Sequence, residues 1–115
     1  MNIELLQKIC STFPSVIEDV KWGSNLCFCV GGKIFCIANL DMPHTFSFKV
    51  SDDEFDELSS TEGFAPAPYL ARAKWVIVAD TARLSNSDLK KYLQQSYELI
   101  KSKISKKTRL ESGLN

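Results

Sequence analysis

The residues best suited to chemistry form a run of cations near the C-terminus. Five of them fall within nine residues that contain no acid: Lys101, Lys103, Lys106, Lys107 and Arg109. Phosphate oxygens are natural partners for such a run, and five phosphate contacts on duplex DNA would make log K fall against log salt with a slope of about −4.5. The competing interpretation is structural, because a helix C-terminus favours cations through its dipole and a frayed end is simply solvated. The second interpretation predicts no DNA binding by this run.

Three further cations accompany predicted sheet elements. Lys33 follows Gly31-Gly32, a dipeptide that supplies the positive φ angles of a two-residue hairpin turn. Lys33 is therefore expected at the tip of a hairpin, where a wing enters a groove or lies along a nucleic-acid backbone. Arg72 and Lys74 lie next to Trp75 and are the other two candidates. The alternative for each of the three is ordinary surface charge at a sheet edge.

A rigid Pro-Ala-Pro-Tyr segment at residues 66–69 is a second candidate site. It can form the wall of a small-ligand pocket in which the Tyr69 hydroxyl and the edge of Trp75 are the polar groups. The alternative to DNA binding is therefore a small-ligand or protein-interaction module that uses this pocket or the hydrophobic edge of the sheet. Alternatively, the segment is a stiff crossover whose tyrosine fills the core. Trp22, which precedes Gly23, is expected in the core.

The cysteines and the single histidine do not form a recognisable site. Cys27 and Cys29 share a strand face, and a two-residue turn would place Cys36 opposite Cys27. The sequence has no CxxC pair, so we interpret the cysteines as small buried apolar residues and predict no metal site. His44 is interpreted as a solvated turn residue. Because phosphate-loop, dinucleotide, serine-elbow and metalloprotease patterns are all missing from the sequence, we expect a non-enzymatic protein without a cofactor.

Composition is that of one ordinary globular domain. The chain has 115 residues, of which 44% are hydrophobic and 24% charged, and its formal net charge is zero. Residues 1–60 hold nine acids and four lysines, a net charge of −5, whereas residues 61–115 hold ten cations and five acids, a net charge of +5. No apolar stretch reaches the roughly 20 residues of a membrane span, and the start does not resemble a secretory signal. We therefore expect a cytoplasmic protein that does not enter a membrane.

The elements that must position these residues follow from apolar spacing. Helices are predicted over residues 3–13 and from residue 87 to 104, and the acids at 52–54 favour a third helix over residues 51–60. The strand period begins at residue 16 and predicts strands that include residues 26–30, 34–38, 44–50 and 74–79. Pro66 and Pro68 are expected to exclude regular structure around them, and the chain is expected to fray after Ile104. Asn2 and Ser85 are the predicted helix caps.

This order, α-β-β-β-β-α-β-α, predicts an α+β two-layer sandwich with helices on one antiparallel sheet. The hairpin turn predicts that Val30 pairs with Lys33, Phe28 with Phe35, and Cys27 with Cys36. In the strand at 44–50, the phenylalanines should face the core and Ser47 and Lys49 should face solvent.

Five groups of residues, in order and spacing, resemble the landmarks of the MmcQ/YjbR family. They are Glu18 with Trp22-Gly23, Gly31-Gly32-Lys33 with Phe35, Ser47-Phe48-Lys49, Pro66-Ala67-Pro68-Tyr69 with Arg72 and Trp75, and Ser96-Tyr97-Glu98-Leu99. The resemblance covers about residues 16–110, so we expect a single domain over residues 1–110 and a frayed tail at 111–115. It implies a small bacterial cytoplasmic domain with a frataxin-like or secretion-chaperone-like sandwich. The family carries a label of DNA binding through a double-wing sheet, which implies DNA as the partner.

Overall fold

The computed structural model describes residues 2–111 and 113 of the chain. Its helices are α1 (Ile3–Cys10), α2 (Asp52–Ser59), α3 (Asn86–Lys101) and α4 (Lys106–Glu111). Its strands are β1 (Val16–Lys21), β2 (Asn25–Val30), β3 (Lys33–Asn39), β4 (Phe46–Lys49), β5 (Phe64–Pro66) and β6 (Trp75–Val78). The predicted order of elements is confirmed, with β5 and α4 as additions.

The six strands form one antiparallel sheet in the order β1-β2-β3-β4-β6-β5. Helices α1 and α3 pack together on one face of this sheet, and α2 lies beside α3, where Glu54 accepts a hydrogen bond from Gln95. We call the opposite face the open face. The predicted α+β two-layer sandwich is therefore confirmed.

Helix starts are fixed by side chains that accept otherwise unpaired amide protons. The Asn2 carboxamide oxygen accepts from the Leu5 amide at 2.8 Å, and the Ser85 hydroxyl accepts from the Asp88 amide at 3.1 Å. Both predicted caps are thus present. No helix among the described residues combines the length and the apolarity that a bilayer crossing requires.

An aromatic cluster joins α1 and α3 to the sheet. The Tyr97 ring centroid lies 5.0 Å from that of Phe13 and 5.4 Å from that of Phe35, the latter in an edge-to-face arrangement. The Tyr97 hydroxyl donates to the Pro14 carbonyl oxygen at 2.7 Å. Beside it, the buried Ser96 hydroxyl donates to the Phe35 carbonyl oxygen at 2.6 Å and accepts from the Lys49 amide at 2.9 Å.

A β-bulge corrects the predicted hairpin register. Val30 pairs with Lys33 as expected, but the register shifts after Phe28. Phe28 therefore pairs with Cys36, which makes the predicted pairs Phe28–Phe35 and Cys27–Cys36 wrong. The extra residue in β3 has a physical consequence, because a one-residue slip reverses the face that each later side chain occupies.

The bulge moves the Cys36 thiol to the helix face, next to Cys10 of α1. Burial, together with the Cys10 thiol, raises the pKa of Cys36 well above its usual value. All four cysteines are free thiols.

Three other local expectations were wrong. Pro66 lies in a strand, since it is the last residue of the edge strand β5, where a missing N–H is tolerated. After Ile104 the chain forms α4 as far as Glu111, so part of the predicted frayed region is helical; residues 112, 114 and 115 lie outside the described residues. Ser47 and Lys49 are each only 8% exposed, because residues 67–74 fold over that part of the open face.

Candidate functional site

The hairpin turn and the C-terminal cations lie at the same end of the molecule. Gly31 has a φ of +56°, and a Cβ placed there would lie 2.6 Å from Cδ1 of Ile104, so the turn packs directly on this buried side chain. The contact places the turn that Lys33 follows beside the segment that contains Lys103, the neighbour of Ile104. Helix α4 begins at Lys106, within roughly 10 Å of chain from Lys103.

Lys49 extends this cluster to the end of β4. Its ammonium group donates to the Ala73 carbonyl oxygen. Desolvation lowers the pKa of Lys49, and the positive charges of Lys103 and Lys74 lower this pKa further, whereas Asp52 raises it. Lys74 and Lys103 therefore each lie close enough to Lys49 to repel it. Lys49 is one of the family landmarks in the sequence, but it was not among the predicted DNA-binding residues.

We use the term basic end for six lysines that this geometry gathers: Lys33, Lys49, Lys74, Lys103, Lys106 and Lys107. None of the six forms an ion pair with a carboxylate of residues 2–111 or 113. Lys74 instead lies over the Phe55 ring, 5.0 Å from its centroid. Arg72 is exposed two residues away from Lys74 and is also without an ion pair in the described chain.

Two of the predicted cations are engaged within the protein. The Lys101 ammonium group lies 4.0 Å from a Glu98 carboxylate oxygen and 5.7 Å from the centroid of Tyr97. Arg109 is half-buried in α4 and also has an internal interaction. We leave both out of the basic end. Asp52 and Glu98 are carboxylates that border it, and Glu111 lies in α4 together with Lys106 and Lys107.

A second feature is a groove of about 550 Å³ on the open face, near the opposite end of β2. The middle of the groove is lined by three residues that pair in register across β3, β4 and β6: Ile37, Ser47 and Ile77. Asn25 and Asn39, which also pair in register, line it with Thr45. The lining contains no charged side chain.

The groove is flanked by two exposed aromatic residues, Trp22 and Tyr69. Trp22 belongs to the β1–β2 turn, whereas Tyr69 belongs to the β5–β6 connection, so they approach from the two edges of the sheet. Trp22 is 71% exposed and Tyr69 is 104% exposed, so the core position expected for Trp22 is wrong and Tyr69 does not fill the core. Trp75, predicted beside Tyr69, is only 5% exposed and does not line the groove.

Comparison with known proteins identifies the family. A family model described as YjbR matches residues 11–99, most of the chain. The chain belongs to the YjbR family. This confirms the resemblance inferred from the sequence landmarks.

Solved structures similar to this YjbR domain show the same fold. The crystal structure of protein DR2400 from Deinococcus radiodurans, with the domain DUF419, has a TM-score of 0.86 at 25% identity, covering 99% of this chain and 89% of that one. A crystal structure of a Pseudomonas syringae protein has a TM-score of 0.73 at 16% identity, covering 86% of this chain and 98% of that one. No curated protein matches this YjbR chain.

Proposed function

We propose that this YjbR domain is a non-enzymatic DNA-binding domain that contacts backbone phosphates through its basic end. The observation that carries the proposal is the convergence of lysines from the hairpin, β4 and the C-terminal segment, which are far apart in sequence. Four of the six, Lys33, Lys103, Lys106 and Lys107, are exposed and form no ion pairs with the described residues, so their charges are available to neutralise phosphates.

The hairpin supplies the part that can follow a DNA backbone. Lys33 is exposed at its tip, and packing of Gly31 on Ile104 fixes the tip relative to α4. Phosphate contacts of this kind position a protein on DNA without reading its sequence. We therefore expect binding that depends strongly on salt and weakly on base sequence.

The test is fluorescence anisotropy of a labelled DNA duplex titrated with the protein at low and moderate salt. We expect binding at low salt that weakens as salt rises. The double variant Lys106→Glu, Lys107→Glu should weaken binding by at least tenfold, because it reverses two charges at the basic end.

A matched control comes from α3. Lys90→Glu with Lys91→Glu makes the same change in net charge on two exposed lysines near the start of that helix. This variant should bind almost as well as the wild type. Equal losses in the two variants would show that only net charge matters, and would contradict a site at the basic end.

A further inference from the structure

We propose that the groove on the open face binds a planar, uncharged nitrogen heterocycle of the nucleobase kind. The site contains none of the lysines of the basic end, although Ser47 of its lining lies two residues before Lys49 in β4. Asn25 begins β2 at the groove, whereas Val30 ends this strand at the hairpin tip, about 17 Å away at 3.4 Å per residue.

The aromatic rings are the first reason for this assignment. Trp22 has a φ of 53° and Tyr69 a φ of 65°, a left-handed conformation that bulky residues rarely adopt. Neither ring gains burial in return, because both are largely exposed. Two strained, exposed aromatic residues at the two edges of one groove are an arrangement that stability does not explain. Stacking on a flat ring does explain it.

The polar groups of the groove are the second reason. Ser47 is only 8% exposed as a residue, and its hydroxyl has no hydrogen-bond partner among residues 2–111 and 113, so it is available to a molecule in the groove that Ser47 lines. The Asn25 carboxamide also has no partner there. Asn39 uses its carboxamide oxygen to accept from the Asp41 amide at 3.0 Å, which leaves its NH₂ group to donate. A hydroxyl and carboxamides match the mixed donor and acceptor edge of a nucleobase.

The absence of charge in the lining decides between ligand classes. A free phosphate, a carboxylate or an ammonium ion would lose its hydration in the groove without gaining an opposite charge. The apolar surfaces of Ile37 and Ile77 favour the face of a neutral ring instead. The ring can come from a free nucleoside or from an unpaired base in a single strand.

The test uses tryptophan fluorescence, because the chain has only two tryptophans and Trp75 is buried. Adenosine, cytidine and uridine are titrated as free nucleosides, and oligo-dA, oligo-dC and oligo-dT as single strands. Saturable quenching is expected with at least one base. Quenching by both forms assigns a base-binding site, and tighter binding of the strand by more than about tenfold identifies single strands as the source.

Variants connect the signal to the groove. Tyr69→Ala should weaken binding by about tenfold or more, whereas Tyr69→Phe, which keeps the ring, should bind within about twofold of the wild type. Met42→Ala is the matched control, since Met42 is 79% exposed but does not line the groove. Trp22→Asn removes the fluorescent ring, so ligand binding by this variant is followed by NMR. The chemical-shift changes that the ligand causes at the Asn25 and Asn39 carboxamides of the wild type should be lost in the variant.

Several results would overturn the proposal. These are quenching by none of the bases, equal binding by Tyr69→Ala and the wild type, or binding of N-acetylphenylalaninamide as tight as that of the best base, which would indicate a peptide groove. Because Tyr69→Ala leaves the basic end intact, its binding to duplex DNA should stay unchanged. Failure of the nucleobase test therefore leaves the DNA proposal standing, and the reverse also holds.

Discussion

At the scale of single residues, the structure separates side chains that stabilise the fold from those that do not. Ser96 and Tyr97 are buried and hold α3 on the sheet, so packing accounts for them. Trp22 and Tyr69 are exposed in left-handed backbone conformations, so packing does not. The proposed ligand gives a reason for their positions that packing does not.

The first prediction concerns the stability cost of Trp22. Trp22→Asn should leave the free energy of unfolding unchanged or raise it by about 1 kcal/mol, because asparagine tolerates positive φ and the exposed ring contributes little burial. Urea unfolding followed by circular dichroism measures this. Trp75→Ala is the contrast, with an expected loss of about 3–5 kcal/mol from the core. A large fall in the free energy of unfolding of Trp22→Asn would show that the Trp22 ring stabilises the fold.

Sequence alone could not identify these two rings as exposed. Large apolar residues are usually buried, and that rule placed Trp22 in the core. The available signal was its position directly before Gly23, at the turn between two strands. The Pro-Ala-Pro-Tyr segment was recognised as a possible pocket wall, and Tyr69 does line the groove, but its partner across the sheet is Trp22 and not Trp75.

At the scale of elements, the Ser96 hydroxyl connects α3 to β3 and β4. Ser96 of α3 bonds to Phe35 in the bulge of β3 and to the backbone amide of Lys49 in β4. The bond to the Lys49 amide fixes the backbone of Lys49, and therefore the position of its Cα, in the basic end. The bulge and the helix thus determine where this cation lies.

Removing that hydroxyl gives the second prediction. Ser96→Ala should lower the free energy of unfolding by about 3 kcal/mol, because it leaves the Lys49 amide and the Phe35 carbonyl buried without a partner. The control is Ser102→Ala, whose exposed hydroxyl donates only to the Leu99 carbonyl, with an expected change below about 0.5 kcal/mol. Similar values for the two variants in urea unfolding would contradict this role of Ser96.

The third prediction concerns the contact between the hairpin turn and Ile104. Gly31→Ala should destabilise the protein by about 1 kcal/mol more than Gly32→Ala, because both glycines have positive φ but only Gly31 meets a side chain. Thermal or urea unfolding of the two variants measures the difference. In an Ile104→Val background the stability difference between Gly31→Ala and Gly32→Ala should be smaller, because valine lacks the Cδ1 atom that lies nearest to the added Cβ.

The elements themselves were largely predictable, because they follow from local patterns. Apolar spacing and capping residues placed α1, α2 and α3, and Gly31-Gly32 placed the hairpin turn. The bulge at Phe35 was not predictable, since it goes together with the contacts of Phe35 with Ser96 of α3 and of Cys36 with Cys10 of α1, which are distant in sequence. Strand β5 was missed because Pro66 argues against a strand unless its position at an edge is known.

At the scale of the whole molecule, buried acidic groups share one direction of pH dependence. Burial raises the pKa of the Cys27, Cys29 and Cys36 thiols above 9.0, and also raises the pKa of the Tyr92 and Tyr97 hydroxyls above 10.0. Above these values the unfolded chain loses protons that the folded protein keeps. Stability from these groups is therefore fully present below pH 9.0 and is lost as the pH rises.

The fourth prediction is a fall in the free energy of unfolding between pH 9 and 11, measured by urea unfolding at a series of pH values. Cys36→Ala should be less stable at pH 7 because of the cavity, but its stability should fall less steeply just above pH 9. Lys49, whose pKa is lowered, acts in the opposite direction, so a net rise in stability with pH would show that the thiols do not control the alkaline limit.

The charge distribution of the whole molecule was only half predictable. Counting along the chain showed an acidic first half and a basic second half, but the basic end combines Lys33 and Lys49 from the first half with Lys74 and the C-terminal lysines from the second. Only the tertiary contacts, from Gly31 to Ile104 and from Lys49 to its neighbours, bring them together.

The most direct test of DNA binding through the basic end is the slope of log K against log salt for binding to a DNA duplex. With four or five phosphate contacts, the wild type should give a slope between about −3.6 and −4.5. The triple variant Lys103→Gln, Lys106→Gln, Lys107→Gln should bind with a slope shallower by about 2.7, since it removes three of those contacts. A wild type that shows no binding at low salt, or a triple variant with an unchanged slope, would contradict DNA binding through the basic end.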